Sequence, residues 1–98
     1  MLISNNIIFS QRWNFSMLTK KIVVFGSYVT DLMFRVARLP VKGETLLASA
    51  FKMGPGGKGA NQAVAAKRAG ANVSMITKIG KDKLGEIAME NFQKEGVE

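Results

Sequence analysis

The 98-residue chain contains no cysteine. That excludes a disulfide framework and a thiolate metal site, and it suits a reducing compartment such as the cytoplasm. Histidine is also absent, which removes the commonest general base and the commonest metal ligand. Any chemistry must rest on Asp, Glu, Lys or backbone dipoles. Acidic residues are scarce: 7 Asp and Glu stand against 14 Lys and Arg, for a net charge of +7. The cations are spread along the chain, and aromatics do not interleave with them as a nucleic-acid stacking platform requires. An anionic small molecule fits that charge as well, and no nucleic-acid partner is expected. No apolar run is long enough to span a membrane, so no membrane partner is expected either.

What is present is ordinary for a globular protein, with 47% hydrophobic and 21% charged residues. The length suits one domain or part of one. Residues 1–19, "MLISNNIIFSQRWNFSMLT", carry short apolar patches broken by Asn, Ser and Gln, with no basic leading region. They read as a disordered N-terminal extension rather than a secretory signal. Met17, just ahead of "LTKKIVVFGS", is a second candidate start.

From there the pattern alternates. "KIVVFGS" (21–27) reads as a buried strand covered on both faces. Residues 32–39 and 45–53, with the turn "PVKGE" between them, read as two strands that pair as an antiparallel ribbon. "ANQAVAAKRAG" reads as a helix with Lys67 and Arg68 in its last turn and Gly70 just beyond it. "NVSMITKI" (72–79) reads as a strand. A second helix follows, with Asp82 as N-cap and an apolar stripe of Leu84, Ile87, Ala88 and Phe92. Gly96 would end it, and Val97 and Glu98 approach a further strand. The predicted class is α/β, the N-terminal part of a mostly parallel sheet flanked by helices, with a β-ribbon lid.

The stretch "MGPGGKGANQAVAAKRAG" (53–70) concentrates the chemistry, because four of the ten glycines lie between Gly54 and Gly59. Gly54, Gly56 and Gly59 satisfy G-x-G-x-x-G, a weak dinucleotide signal on its own. The preceding segment is not strongly apolar, and the next strand ends in Lys78 where a ribose-binding acid is required. A P-loop fails on residue types, since Lys58 precedes Gly59 and no Ser or Thr follows. A site for a polyhydroxylated ligand fits better. Bare backbone admits close approach, and a helix N-terminus supplies N–H donors. Asn61 offers an acceptor and a donor, and Lys58 a cation. Asp31, just past the end of the first strand, is placed to accept two hydroxyl protons. Beside this stand plainer readings: glycines for a tight turn and close helix packing, Asn61 as a cap residue, Asp31 as a turn residue, Lys58 as a solvated charge.

"GGKGANQAVAAKRAG", followed by Gly80, resembles the N-terminal signature of the ribokinase family of carbohydrate kinases, the PfkB group. Gly56, Gly57, Asn61, Ala63, Gly70 and Gly80 occupy the signature's places, and "VVFGSYVTDLMFRVARLPVKGET" resembles the family's opening strand and lid. The resemblance covers 21–98. It implies ATP-dependent phosphorylation of a sugar hydroxyl, with Mg²⁺ and often a monovalent cation. It implies that Asp31, Gly56, Gly57, Lys58 and Asn61 hold the sugar, and that a lid closes over it and can clasp the lid of a second subunit in a homodimer. No catalytic residue is expected within these 98, because the family's base and phosphate-stabilising turn lie further on. Residues 20–98 are thus expected to be the sugar-binding and lid portion, inactive alone. Alternatives are a non-catalytic binding or dimerisation module, the remnant of a truncated gene, or a dinucleotide-binding fragment. One departure is Val29, where ribokinases commonly carry an asparagine; this puts ribose in question and leaves room for another sugar, a sugar phosphate or a nucleoside-like substrate.

Overall fold

The computed structural model describes residues 20–98. The N-terminal extension and the second start expected at Met17 lie outside those residues. The elements run β1 (Lys21–Phe25), β2 (Val29–Arg35), β3 (Ala50–Gly56), α1 (Lys58–Arg68), β4 (Asn72–Ile76) and α2 (Lys83–Glu95). The β1 and β4 strands pair in parallel, with Ile22 opposite Val73 and Val24 opposite Met75. β2 and β3 pair antiparallel as a separate ribbon, with Val29 opposite Gly56 and Asp31 opposite Gly54. Among the described residues no helix is long and apolar enough to cross a membrane.

The parallel pair exists because β-branched side chains alternate across it and α1 packs on one face. Val73 is fully buried there, with Ala60 and Ala63 of α1 and Ala88 and Phe92 of α2 around it. The alanines let the helices approach closely. The opposite face is open: Val23, Phe25 and Ile76 are all more than half exposed. Burial on both faces was expected for β1, and the described residues cover only one. Glu98 lies against the free edge of β4, its N–H donating to the Val73 carbonyl (3.1 Å) and its carbonyl accepting from Met75 (2.7 Å). Glu98 thus bridges to β4 at its edge away from β1, in the parallel sense.

Both helices end as expected. Gly70 at φ 97° closes α1, with the Ala71 N–H donating to the Ala66 carbonyl and the Gly70 N–H to that of Lys67. This paired arrangement satisfies two carbonyls that the helix would otherwise orphan. Gly96 at φ 72° closes α2 in the same way, and the adjoining Val97 joins Phe92 in the core. The Asp82 carboxylate accepts the Gly85 N–H at 2.8 Å, so it caps α2. The apolar stripe differs from expectation at one place. Leu84 is exposed, and Gly85 takes the inward position because a Cβ there would collide with the Gly80 carbonyl.

The ribbon is displaced along the sequence from the expected 32–39 and 45–53. β2 begins three residues earlier and β3 five residues later. Apolarity had marked Asp31 and the Gly-Pro-Gly run as breaks. Pairing overrides that, since a proline is tolerated wherever its nitrogen faces an open strand edge. The tip of the ribbon is fastened by Arg38, whose guanidinium grips both carboxylate oxygens of Glu44, while Glu44 also accepts the Val41 N–H at 2.9 Å.

Similar ion pairs tie Lys21 to Glu98 and Arg68 to Glu95. Arg38 holds the Glu44 carboxyl below its ordinary range, aided by the Val41 N–H. Arg68 does the same to Glu95, and Lys21 to Glu98. Carboxyls depressed in the folded state contribute stability that is fully present above their unfolded value, about 4.3. That stability is lost as pH falls through the lower folded values. The melting temperature is therefore expected to be level from about pH 5.5 to 7.5 and to drop below about pH 4. Differential scanning calorimetry across that range checks this, and a melting temperature that rises on acidification contradicts it.

Candidate functional site

Gly54 and Gly56 belong to β3, Gly57 alone separates strand from helix, and Gly59 is the second residue of α1. The expected glycine loop is thus a strand running almost directly into a helix. Gly57 adopts φ 95° and ψ 134°, a region essentially restricted to glycine. A Cβ there would fall 2.7 Å from the Val29 nitrogen and 2.8 Å from the Ser27 carbonyl oxygen. Gly59 meets Gly26 in the same manner, its Cβ position lying 3.0 Å from the Gly26 Cα. The Ala60 N–H donates to the Ser27 carbonyl at 3.3 Å. What approaches these two glycines so closely is the turn between β1 and β2. The plainer reading, close packing of backbone on backbone, accounts for Gly57 and Gly59. Gly26 was not singled out from the sequence, because the pairing of two glycines 33 residues apart has no local signal.

Gly56 answers differently. A Cβ on it would fall 2.7 Å from the Asp31 carboxyl carbon and 2.8 Å from Asp31 Oδ1. The carboxylate therefore lies directly over the bare α-carbon of Gly56. Asp31 lies beyond the end of β1, as expected, but inside β2 rather than before it, on the same ribbon face as Val29, Gly54 and Gly56.

Of the chain's seven carboxylates, four are in ion pairs (Glu44, Glu86, Glu95 and Glu98) and Asp82 caps α2. Only Asp31 and Glu90 have no polar partner among the described residues. Both are exposed: Glu90 on α2, and Asp31 inside β2 with its carboxylate over Gly56, one residue before the strand-to-helix step at Gly57.

Lys58 is exposed in the first turn of α1. No side chain caps that turn. Asn61 lines a cleft of about 200 Å³ together with Pro55, Gly56, Val64, Asn91 and Glu95. Gly56 is thus the common neighbour, with Asp31 over it and Asn61 flanking it. The cleft lined by Asn61 does not include Asp31. The Asp31 carboxylate lies over Gly56, Asn61 borders Gly56 in the separate cleft, and Lys58 is exposed in the first turn of α1. No group of three or more carboxylates capable of holding a metal occurs among the described residues. The strand feeding α1 is an antiparallel ribbon strand, not the central parallel strand of a dinucleotide fold, so the G-x-G-x-x-G match loses its structural context.

The chain is similar in sequence and fold to known proteins. The model of the pfkB family carbohydrate kinases matches residues 19–98. The ribokinase of Lactococcus lactis is 50% identical over 78 residues, covering 79% of this chain and 26% of its own length. A deoxyribokinase of Salmonella typhi is 46% identical over 76 residues, covering 78% of this chain and 25% of its own. Among solved structures, a ribokinase of Thermotoga maritima superposes with a TM-score of 0.74 at 36% identity, over 78% of this chain and 26% of that one. An Arabidopsis thaliana ribokinase complexed with ribose and ATP gives 0.69 at 33% identity, over 78% and 25%. The chain spans about a quarter of the length of the curated relatives it matches.

Proposed function

Because the chain belongs to the pfkB family of carbohydrate kinases, we propose that residues 20–98 are the sugar-binding and lid portion of an ATP-dependent sugar kinase. The observation that carries this is the Asp31 carboxylate, without a polar partner among the described residues and seated over Gly56 at the mouth of α1. A carboxylate accepts two hydroxyl protons at once, and charge-assisted bonds of this kind are about twice as strong as neutral ones. Asn61 supplies the complementary donor and acceptor, and Gly57 and Lys58 border the same junction.

In the reaction a sugar hydroxyl oxygen bonds to the γ-phosphorus as its proton passes to a general base that these residues do not supply, the bond to the β-phosphate oxygen breaks, and ADP leaves with that electron pair. The residues described here orient the sugar for in-line transfer. Magnesium and the nucleotide are substrates of the step, and among the described residues no carboxylate cluster holds the metal. The ATP bound by the Arabidopsis relative supports ATP as the donor. The setting is taken to be cytoplasmic, in keeping with a cysteine-free chain.

The ribbon's other face carries Leu32, Phe34, Phe51 and Met53, each about half exposed, with the Phe34 and Phe51 rings 4.6 Å apart. That face suits contact with the lid of a second copy. The test of the whole reading is coupled-assay ATP consumption by a full-length kinase carrying these residues, over a panel of pentoses and hexoses. ATP use that no sugar stimulates sinks it. The 98 residues alone are expected to show none.

The substrate follows from Val29. It shares a face with Asp31 and sits opposite Gly56. Its methyls cannot bond a hydroxyl, and a sugar hydroxyl pressed on them loses water without compensation, costing about 1–3 kcal/mol. A deoxypentose fits this spot better than ribose, and the relatives above include both ribokinases and a deoxyribokinase. Val29→Asn is expected to shift the ratio of kcat/KM for ribose over 2-deoxyribose upward about tenfold. An unchanged ratio means Val29 does not face the sugar.

A further inference from the structure

The geometry points to Thr30 as a positioning residue that locks the base of the ribbon to α2 and thereby holds Asp31 in register for the sugar. This rests on the sugar-kinase reading and adds a residue to it. Alternation along β2 puts Thr30 on the face opposite Asp31. There its Oγ1 lies 3.2 Å from the Tyr28 hydroxyl and 3.2 Å from the Leu84 carbonyl oxygen in the first turn of α2. Thr30 has one proton and two neighbours. A carbonyl only accepts, so that proton goes to Leu84, and the Tyr28 hydroxyl must donate to Thr30. The result is a directed relay, Tyr28 to Thr30 to Leu84, whose members polarise one another. Its first member is anchored in turn: the Tyr28 ring meets Phe92 of α2 edge-on, with centroids 5.7 Å apart and planes at 67°.

Among the described residues, the Thr30–Leu84 bond is the one side-chain hydrogen bond joining the ribbon to a helix; apart from the Tyr28 bond, the ribbon's others stay within its strands and tip. The ribbon also packs on α2 through β2 and β3, and Thr30 adds the one directed bond to that contact. A cleft of about 200 Å³ opens beside it, bordered by Tyr28, Thr30, Ile79, Asp82 and Leu84. With the relay broken, β2 is free to rock into that space. Asp31, the adjacent residue, then leaves its place over Gly56.

The test uses the full-length kinase with its preferred sugar. Thr30→Val keeps the shape and removes the hydroxyl, whereas Thr30→Ser keeps the hydroxyl. Thr30→Val is expected to raise KM for the sugar about three- to tenfold, the size of one net hydrogen bond, with KM for ATP unchanged. Thr30→Ser is expected to restore the sugar KM to within about twofold of the parent. Hydrogen exchange read on the same variants should speed up at Asp31 and Gly56 in Thr30→Val but not in the interior of α2. A parent enzyme that uses sugar, with a Thr30→Val variant of unchanged sugar KM, overturns the role of Thr30 alone. Loss of stability without a change in sugar KM, or no rescue by serine, overturns it too. A parent that consumes no ATP with any sugar overturns the kinase reading and this role together.

Discussion

Asp31→Ala in a full-length kinase carrying this chain is expected to raise KM for the sugar by about 10²-fold or more while leaving KM for ATP unchanged. The size follows from two charge-assisted hydrogen bonds, each worth about 1.5–3 kcal/mol. The selectivity follows from geometry. Asp31 has no polar partner among the described residues, so its removal leaves no buried donor orphaned there. Its carboxylate is exposed, so the melting temperature should move little. Asp31→Asn keeps one acceptor oxygen and should fall between parent and alanine variant. Steady-state kinetics in sugar and in ATP separate these outcomes. An alanine variant with the parent's sugar KM shows that Asp31 merely shapes the ribbon.

Gly57→Ala carries the largest expected effect on folding. Positive φ costs an alanine about 1–3 kcal/mol. The added Cβ would also press on the Val29 nitrogen and the Ser27 carbonyl oxygen, both backbone atoms that cannot rotate away. Together these are expected to cost about 3 kcal/mol or more. In a full-length protein that lowers the melting temperature by about 6–12 °C. Gly43 provides the control: it has φ 80° at the ribbon tip, and a Cβ there meets nothing within 4 Å. Gly43→Ala should cost only the backbone strain, about 1–2 kcal/mol. Equal losses for the two variants, measured by thermal denaturation, show that the close approach of the β1–β2 turn contributes nothing.

Much of the fold was legible along the chain. Gly70 and Gly96 end helices where their positions said they would, and Asp82 caps α2, because capping and left-handed glycine are local requirements. The parallel pairing of "KIVVF" with "NVSMI" follows from two strand-forming runs joined by a crossover that contains a helix. The ribbon was legible as a ribbon but not in register. Apolarity ended the strands at Asp31 and Gly54, and only the partner across the ladder carries them through both residues.

The candidate site was legible as a list of residues and not as an arrangement. Asp31, Lys58 and Asn61 were singled out from type and spacing, and Gly56 and Gly57 as sugar-site residues from the family resemblance. That Gly57 and Gly59 serve the chain's own backbone, while Gly56 serves Asp31, depends on which atoms face each missing Cβ. Thr30 went unremarked, since an isolated threonine among apolar residues gives no sign that a helix carbonyl more than fifty residues later will lie beside it.

The sequence by itself determined the element types, the helix ends, the family signature and the absence of histidine and thiol chemistry, all of which are encoded within a few residues of one another. Only the tertiary structure decided the register of the ribbon, the division of labour among the glycines and the tether of Thr30 to α2. Those depend on contacts between segments distant in the chain, and a one-residue slip of β2 would turn Asp31 to the opposite face without changing a single local propensity.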